Sequence, residues 1–206
     1  MAHFLTTRDR ERVAEAIRAV EARTSAELVA VVAHEAESYQ HIPTLWAALA
    51  ALALPPVVLL ADPGWTTAEI SLIQLGTFVA LAALGWWRPV RMALVPTRVK
   101  KARAARLACE QFFVQRLHET AGRTGVLIFV SVAERHVEII ADVGISKLVD
   151  DNVWQRAVDH FTANVKAGRI AEGFIGAIEQ CGGVLIGHFP AAGRNPDELP
   201  DHLIEI

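Results

Sequence analysis

IPTLWAALAALALPPVVLLA, residues 42–61, runs for twenty positions without a charged side chain. A helix of about twenty apolar residues spans the roughly 30 Å hydrocarbon core of a bilayer, whereas helices buried in a protein core are usually shorter. A second uncharged run, ISLIQLGTFVALAALGWW at 70–87, follows after the eight-residue link DPGWTTAE. Two such runs so close together read as a transmembrane hairpin. Pro55-Pro56 would break a helix in water; beside a partner helix in lipid it is expected to produce only a kink. Ser71, Gln74 and Thr77 are polar but cheap to bury against a neighbouring helix, and the small residues from Ala47 to Ala53 permit close pairing.

The rest of the composition agrees. Apolar residues make up 52% of the 206-residue chain and charged residues 21%, with a mean hydropathy of +0.30. Between Ile42 and Trp87 the only charges are Asp62 and Glu69. Seven basic residues and no acidic one lie between Arg88 and Arg106, while the link between the runs has no Lys or Arg. The positive-inside bias therefore places both flanks in the cytoplasm and Trp65 on the opposite side, with Trp46, Trp86 and Trp87 at the inner interface. The densely charged stretch from Thr7 to Glu21 is unlike an export signal.

A hairpin returns the chain to the side it left, so the segments before and after it can fold together. Thr6-x-x-Asp9 has the form of a capping box, and Val13, Ile17 and Val20 give the following helix one apolar face. LVAVVA at 28–33 reads as a buried strand. After the hairpin, a helix from about Thr97 to Ala121 is expected to carry Ala105, Cys109, Phe112, Phe113 and Leu117 on one side. VLIFVSV, a turn at Ala133 to Arg135 and HVEIIAD form a β-hairpin. Asp150 or Asp151 caps a helix with Trp154, Val158, Phe161 and Val165 inward, stopped at Lys166-Ala-Gly168. A last helix repeats the spacing with Phe174, Ile178, Cys181 and Leu185. The two cysteines form no CxxC motif and are expected to be buried thiols.

TSAELVAVV, TGVLIFVSVAERHVEIIADVGI, the VWQ helix ending in KAGR and the GF-containing helix after it together resemble the TPM domain family, in its members with an inserted membrane hairpin. The resemblance covers nearly the whole chain, and the strand-turn-strand block ending in Asp142-Val-Gly144-Ile145 is its most specific part. It implies an α/β fold, a three-layer α/β/α sandwich with a small mixed sheet interrupted by the two-helix transmembrane hairpin. The division is then 1–41 with 97–190 for the discontinuous domain, 42–96 for the hairpin and juxtamembrane segment, and 191–206 for a mobile tail. With the charge bias, this makes the chain a bacterial inner-membrane protein with two spans and both termini cytoplasmic; the resemblance also implies metal such as calcium in some relatives, and acid phosphatase activity in a plant relative.

Chemistry has few places to sit. If LVAVVA and VLIFVSV are parallel, the end of HVEIIAD lies beside the starts of both. Thr24, Ser25, Glu27, Thr124, Asp142, Asp150 and Asp151 then meet at one sheet end, where Asp142 and Asp150, with Glu27 as an auxiliary, could hold a hard cation, calcium or magnesium. The competing reading makes Thr24 and Ser25 turn residues, and the aspartates strand-end and helix caps. The eight histidines are scattered without an HExxH motif, and GxSxG and GxxxxGK[ST] are absent, so no catalytic residue is assigned. Gly182-Gly183, inside a helical pattern, reads as a close-packing site. A net charge of −3 gives no footprint for nucleic acid. The expected partners are the lipid bilayer and other membrane proteins. The expected function is a cytoplasmic interaction or binding module on a membrane anchor, with a metal-dependent acid phosphatase as the alternative.

Overall fold

Thr6 starts the first helix as the spacing predicts: its hydroxyl accepts the Asp9 N–H at 3.1 Å, and the Asp9 carboxylate reaches back to the Thr6 N–H at 3.2 Å. In the computed structural model, which describes residues 5–62, 64–191 and 202–206, this helix is α1 (Thr7–Glu21). It is followed by β1 (Glu27–Ala33), α2 (His41–Ala61), α3 (Thr67–Trp86), α4 (Arg88–Leu94) and α5 (Thr97–Val114). A 3-10 turn at Leu117–Glu119 leads to β2 (Gly125–Ser131), β3 (His136–Ala141), α6 (Val143–Ser146), α7 (Asp151–Lys166), α8 (Ile170–His188) and β4 (Ile204–Glu205). The chain divides into two units, Met1–Ala36 with Ala102–Ile206, and Glu37–Lys101.

The first unit is an α/β/α sandwich on a mixed sheet of order β3-β2-β1-β4. β1 runs parallel to β2 and to β4, and β3 runs antiparallel to β2. Alternation along β1 and β2 decides which side chains meet which layer. Leu28, Ala30 and Val32 with Val126, Ile128 and Val130 join α1, α7 and α8 in one core. Val29, Val31 and Ala33 with Leu127 and Phe129 pack on Ala104, Ala108 and Phe112 of α5. Covered on both faces, the two central strands are buried at every position, which is why they read as continuous apolar runs.

Most of the segment expected to be a mobile tail, 191–206, lies outside the described residues, but its end is part of the sheet. The Ile206 N–H donates to the Val32 carbonyl at 3.0 Å and its carbonyl accepts the His34 N–H at 2.9 Å. β4 thus supplies partners for backbone groups of β1 that would otherwise be buried unmet.

α5 also differs from expectation. Arg116 takes a left-handed backbone (φ 59°) that ends the helix and turns Leu117 into the core. Phe112 and Leu117 are buried as anticipated, but the rest of the inward face is Ala104 and Ala108, one residue away from the expected Ala105 and Cys109, and Phe113 is exposed. Cys109 is therefore exposed, contrary to the expectation of two buried thiols, while Cys181 on α8 is buried and its thiol is pushed up to about 12 by burial. Native protein should take up one maleimide per chain, at Cys109, and a second only after unfolding; two rapid native modifications would contradict this packing.

On α8, Phe174, Ile178, Cys181 and Leu185 are fully buried as their spacing predicts. Gly182 is a close-packing site, since a Cβ there would fall 2.5 Å from Val20 of α1, but Gly183 has open space.

The second unit is built on α2 packed against α3, and its buried residues are Pro43, Ala47 and Ala51 on α2 and Ile70 and Gly85 on α3. A Cβ on Gly85 would lie 2.5 Å from that of Pro43, so the two helices approach closely there. α2 continues through Pro55-Pro56. The two charges of the region belong to its turn: Asp62 accepts the Gly64 N–H at 2.9 Å, and Glu69 accepts the Thr66 N–H at 2.9 Å in a second capping box. Three helices among the described residues are long and apolar enough to cross a membrane, α2, α3 and α8. α8 is embedded in the sandwich, whereas α2 and α3 leave most of their leucines uncovered, Leu52 at 66% and Leu60 at 87% exposure.

Candidate functional site

At the end of the sheet where β1 and β2 begin, the side chains of Thr24, Thr124 and Asp142 bind the protein's own backbone. The Thr24 hydroxyl donates to the Phe189 carbonyl at 2.6 Å and accepts the Ala26 N–H at 3.2 Å. Thr124 donates from its hydroxyl to the Ser25 carbonyl at 3.3 Å, and its N–H donates to the Thr120 hydroxyl at 3.0 Å. Glu27 is buried at the start of β1, its N–H donating to the Thr124 carbonyl.

Asp142 is held from two sides. Arg123 grips it in a two-point ion pair, Nε to Oδ2 at 2.7 Å and Nη2 to Oδ1 at 3.1 Å, and Oδ1 also accepts the Val143 N–H at 2.7 Å. The guanidinium reaches this position from a left-handed backbone (φ 53°), and the pairing raises the Arg123 pKa above its ordinary value. Gly144 fits the turn because its N–H donates to the Arg123 carbonyl at 3.0 Å, and any Cβ would lie 2.5 Å from that oxygen. Asp150 accepts the Asn152 N–H at 2.9 Å and caps α7.

A calcium ion needs six to eight oxygen ligands and magnesium a near-octahedral set. Asp142 and Asp150 instead accept from protein donors, and among the described residues no three His, Cys, Asp or Glu side chains form a group that could hold a metal. Asp142, Asp150 and Glu27 are not brought together as ligands, so the residues as arranged do not fit calcium or magnesium. Asp142→Ala should lower stability by about 1–2 kcal/mol, mostly through the lost cap, because water can take over the half-exposed Arg123. Thermal unfolding against Asp142→Asn checks this, and equal midpoints for wild type and Asp142→Ala would refute it.

The opposite end, where β1 and β2 finish, holds a cleft of about 530 Å³ between the β2–β3 turn, α7 and the start of α8. A buried carboxylate fixes the turn: Glu134 accepts the Ala36 N–H at 3.1 Å and a short bond from the Ser131 hydroxyl. Arg135 follows with a left-handed backbone (φ 52°), and His136 pairs through Nε2 with Glu138 at 2.9 Å. Sequence reading passed over this end as a plain turn. The signal was the charged triplet Glu134-Arg135-His136 in a connection where Asn or Gly is the usual choice.

A family model described as the TPM domain matches residues 89–184. Among solved structures, the chain is similar to the NMR structure of the BA42 protein from the psychrophilic bacterium Bizionia argentinensis, at a TM-score of 0.64 and 19% identity over 100% of this chain and 98% of that one. At that identity the likeness is one of fold. No curated protein matches.

Proposed function

The chain belongs to the TPM domain family, and from that premise we propose that it is a membrane-anchored binding module, with α2 and α3 spanning a bacterial inner membrane and the α/β unit in the cytoplasm. One observation carries the reading: the hairpin is about 11% buried over its most apolar windows, an exposure of leucine that is costly in water and favourable in lipid. The helix lengths support it, since 21 and 20 residues match the hydrocarbon thickness. So do the capped charges of the turn and the basic run after Trp87, which give the hairpin one uncharged middle and a cytoplasmic flank. Other membrane proteins are the partners this arrangement favours, because tethering confines encounters to the bilayer surface and raises effective concentration.

The phosphatase alternative draws no support from the sheet end proposed for it, where the aspartates serve an arginine and two helix caps. Membrane fractionation tests the anchor: the protein should stay with the membranes after an alkaline carbonate wash and need detergent for release. Recovery in the wash supernatant would contradict the reading.

A further inference from the structure

We propose that the cleft at the ends of β1 and β2 is a binding site for a small organic anion, a carboxylate or phosphate monoester on a compact apolar body. This goes beyond the membrane-anchored reading and does not depend on the hairpin, because every lining residue belongs to the α/β unit.

Shape and wall chemistry specify the apolar body. The volume of about 530 Å³ falls in the range of small-molecule sites, which are lined mostly by hydrocarbon with a few polar groups. Val32, Val130, Phe161 and Ile170 form the wall, and Phe161 is an anchored surface, set at 81° against Phe174 with ring centres 5.0 Å apart.

Charge specifies the head group. Arg135 and Lys166 both line the cleft, and no carboxylate does. Of the acids flanking the turn, Glu134 is engaged with the Ala36 N–H and Ser131, and Glu138 is paired with His136, which also lines the cleft. Neither the Arg135 nor the Lys166 side chain has a hydrogen-bond or ion-pair partner among the described residues. Lys166 is not drawn to the end of its own helix, because N–H groups of Ala167, Gly168 and Arg169 bond the carbonyls of Ala163, Asn164 and Val165. Two cations beside an apolar wall attract an anion and oppose a cation, and the planar guanidinium can grip a carboxylate or phosphate at two points. Location agrees, since ligands of open α/β sheets bind beyond the carboxyl ends of parallel strands.

Calorimetric titration of the full-length protein in zwitterionic nanodiscs, with empty nanodiscs subtracted, tests this using naphthyl phosphate and naphthoate. At least one should bind, and naphthol and inorganic phosphate should each bind at least tenfold more weakly than it. Arg135→Gly with Lys166→Ala should weaken the bound anion at least tenfold without lowering the unfolding temperature, since glycine relieves the left-handed backbone at 135. Should that pair fail to fold, Lys166→Glu alone, on an exposed helix position, should weaken the anion at least threefold. Naphthol binding as tightly as the anions, unchanged affinity in the folded variants, or no heat from either anion at millimolar concentration would overturn the proposal. The α/β unit reports in every arm, so a negative result leaves the membrane anchor standing.

Discussion

Leu52→Arg should prevent stable insertion of the hairpin and shift the protein from the membrane to aggregates or the soluble fraction. Leu52 lies near the middle of α2, bordering the groove between α2 and α3 but 66% exposed. On a helix surrounded by water, exchanging an exposed leucine for arginine would be nearly neutral or would improve solubility. At the centre of a bilayer it costs about 3–4 kcal/mol relative to leucine on an insertion scale, a shift of more than a hundredfold. Arg8→Leu, at an exposed position of α1, is the control and should leave fractionation unchanged. Quantitative immunoblotting of membrane and soluble fractions checks both, and normal membrane recovery of Leu52→Arg would refute a lipid-facing position.

Phe174→Ala should destabilise the α/β unit by about 3–5 kcal/mol. Phe174 is fully buried on α8 and packs edge-to-face on Phe161 of α7, at the joint between these two helices and the sheet. Truncation removes a large apolar area from the core, loses an aromatic pair worth about 0.5–1.5 kcal/mol, and leaves a cavity that the rigid strands below cannot fill. Against a typical total of about 5–15 kcal/mol, the loss takes much of the stability. Urea unfolding followed by the reactivity of the buried Cys181 thiol gives a readout from the same core, and a midpoint within error of wild type would contradict the packing.

What could be read from the sequence was what neighbouring residues determine. The Thr6–Asp9 cap of α1 needs only four residues, the hairpin only length and absence of charge, and the inward face of α8 only the spacing of four large side chains. On α5 the buried Phe112 and Leu117 were legible, but the phase of the earlier turns was not, because that face is drawn by alanines, Ala102, Ala104, Ala105 and Ala108, which fit a core or a surface nearly equally well. Its phase is set by contact with Val31 and Phe129, not by its own periodicity. β4 could not be read because two residues carry no pattern, and it exists only by pairing with the exposed edge of β1.

The same division applies to the sites. Asp142 and Asp150 have the composition of metal ligands and of caps alike, and local sequence does not separate the two. The separation comes from Arg123, nineteen residues away from Asp142, whose left-handed backbone brings its guanidinium onto the carboxylate. The cleft was hidden for a similar reason. Arg135 and Lys166 become neighbours of one cavity only after the β2–β3 turn and the end of α7 are both placed on the sheet.

The membrane hairpin underlies the proposed role, and topology mapping in cells tests it most directly. Alkaline phosphatase, which is active only outside the cytoplasm, would be inserted between Gly64 and Trp65 in one fusion and joined after Ile206 in another. Activity from the loop fusion with silence from the terminal fusion is the predicted result. An inactive loop fusion expressed at the same level, or an active terminal one, would contradict two spans with the α/β unit in the cytoplasm.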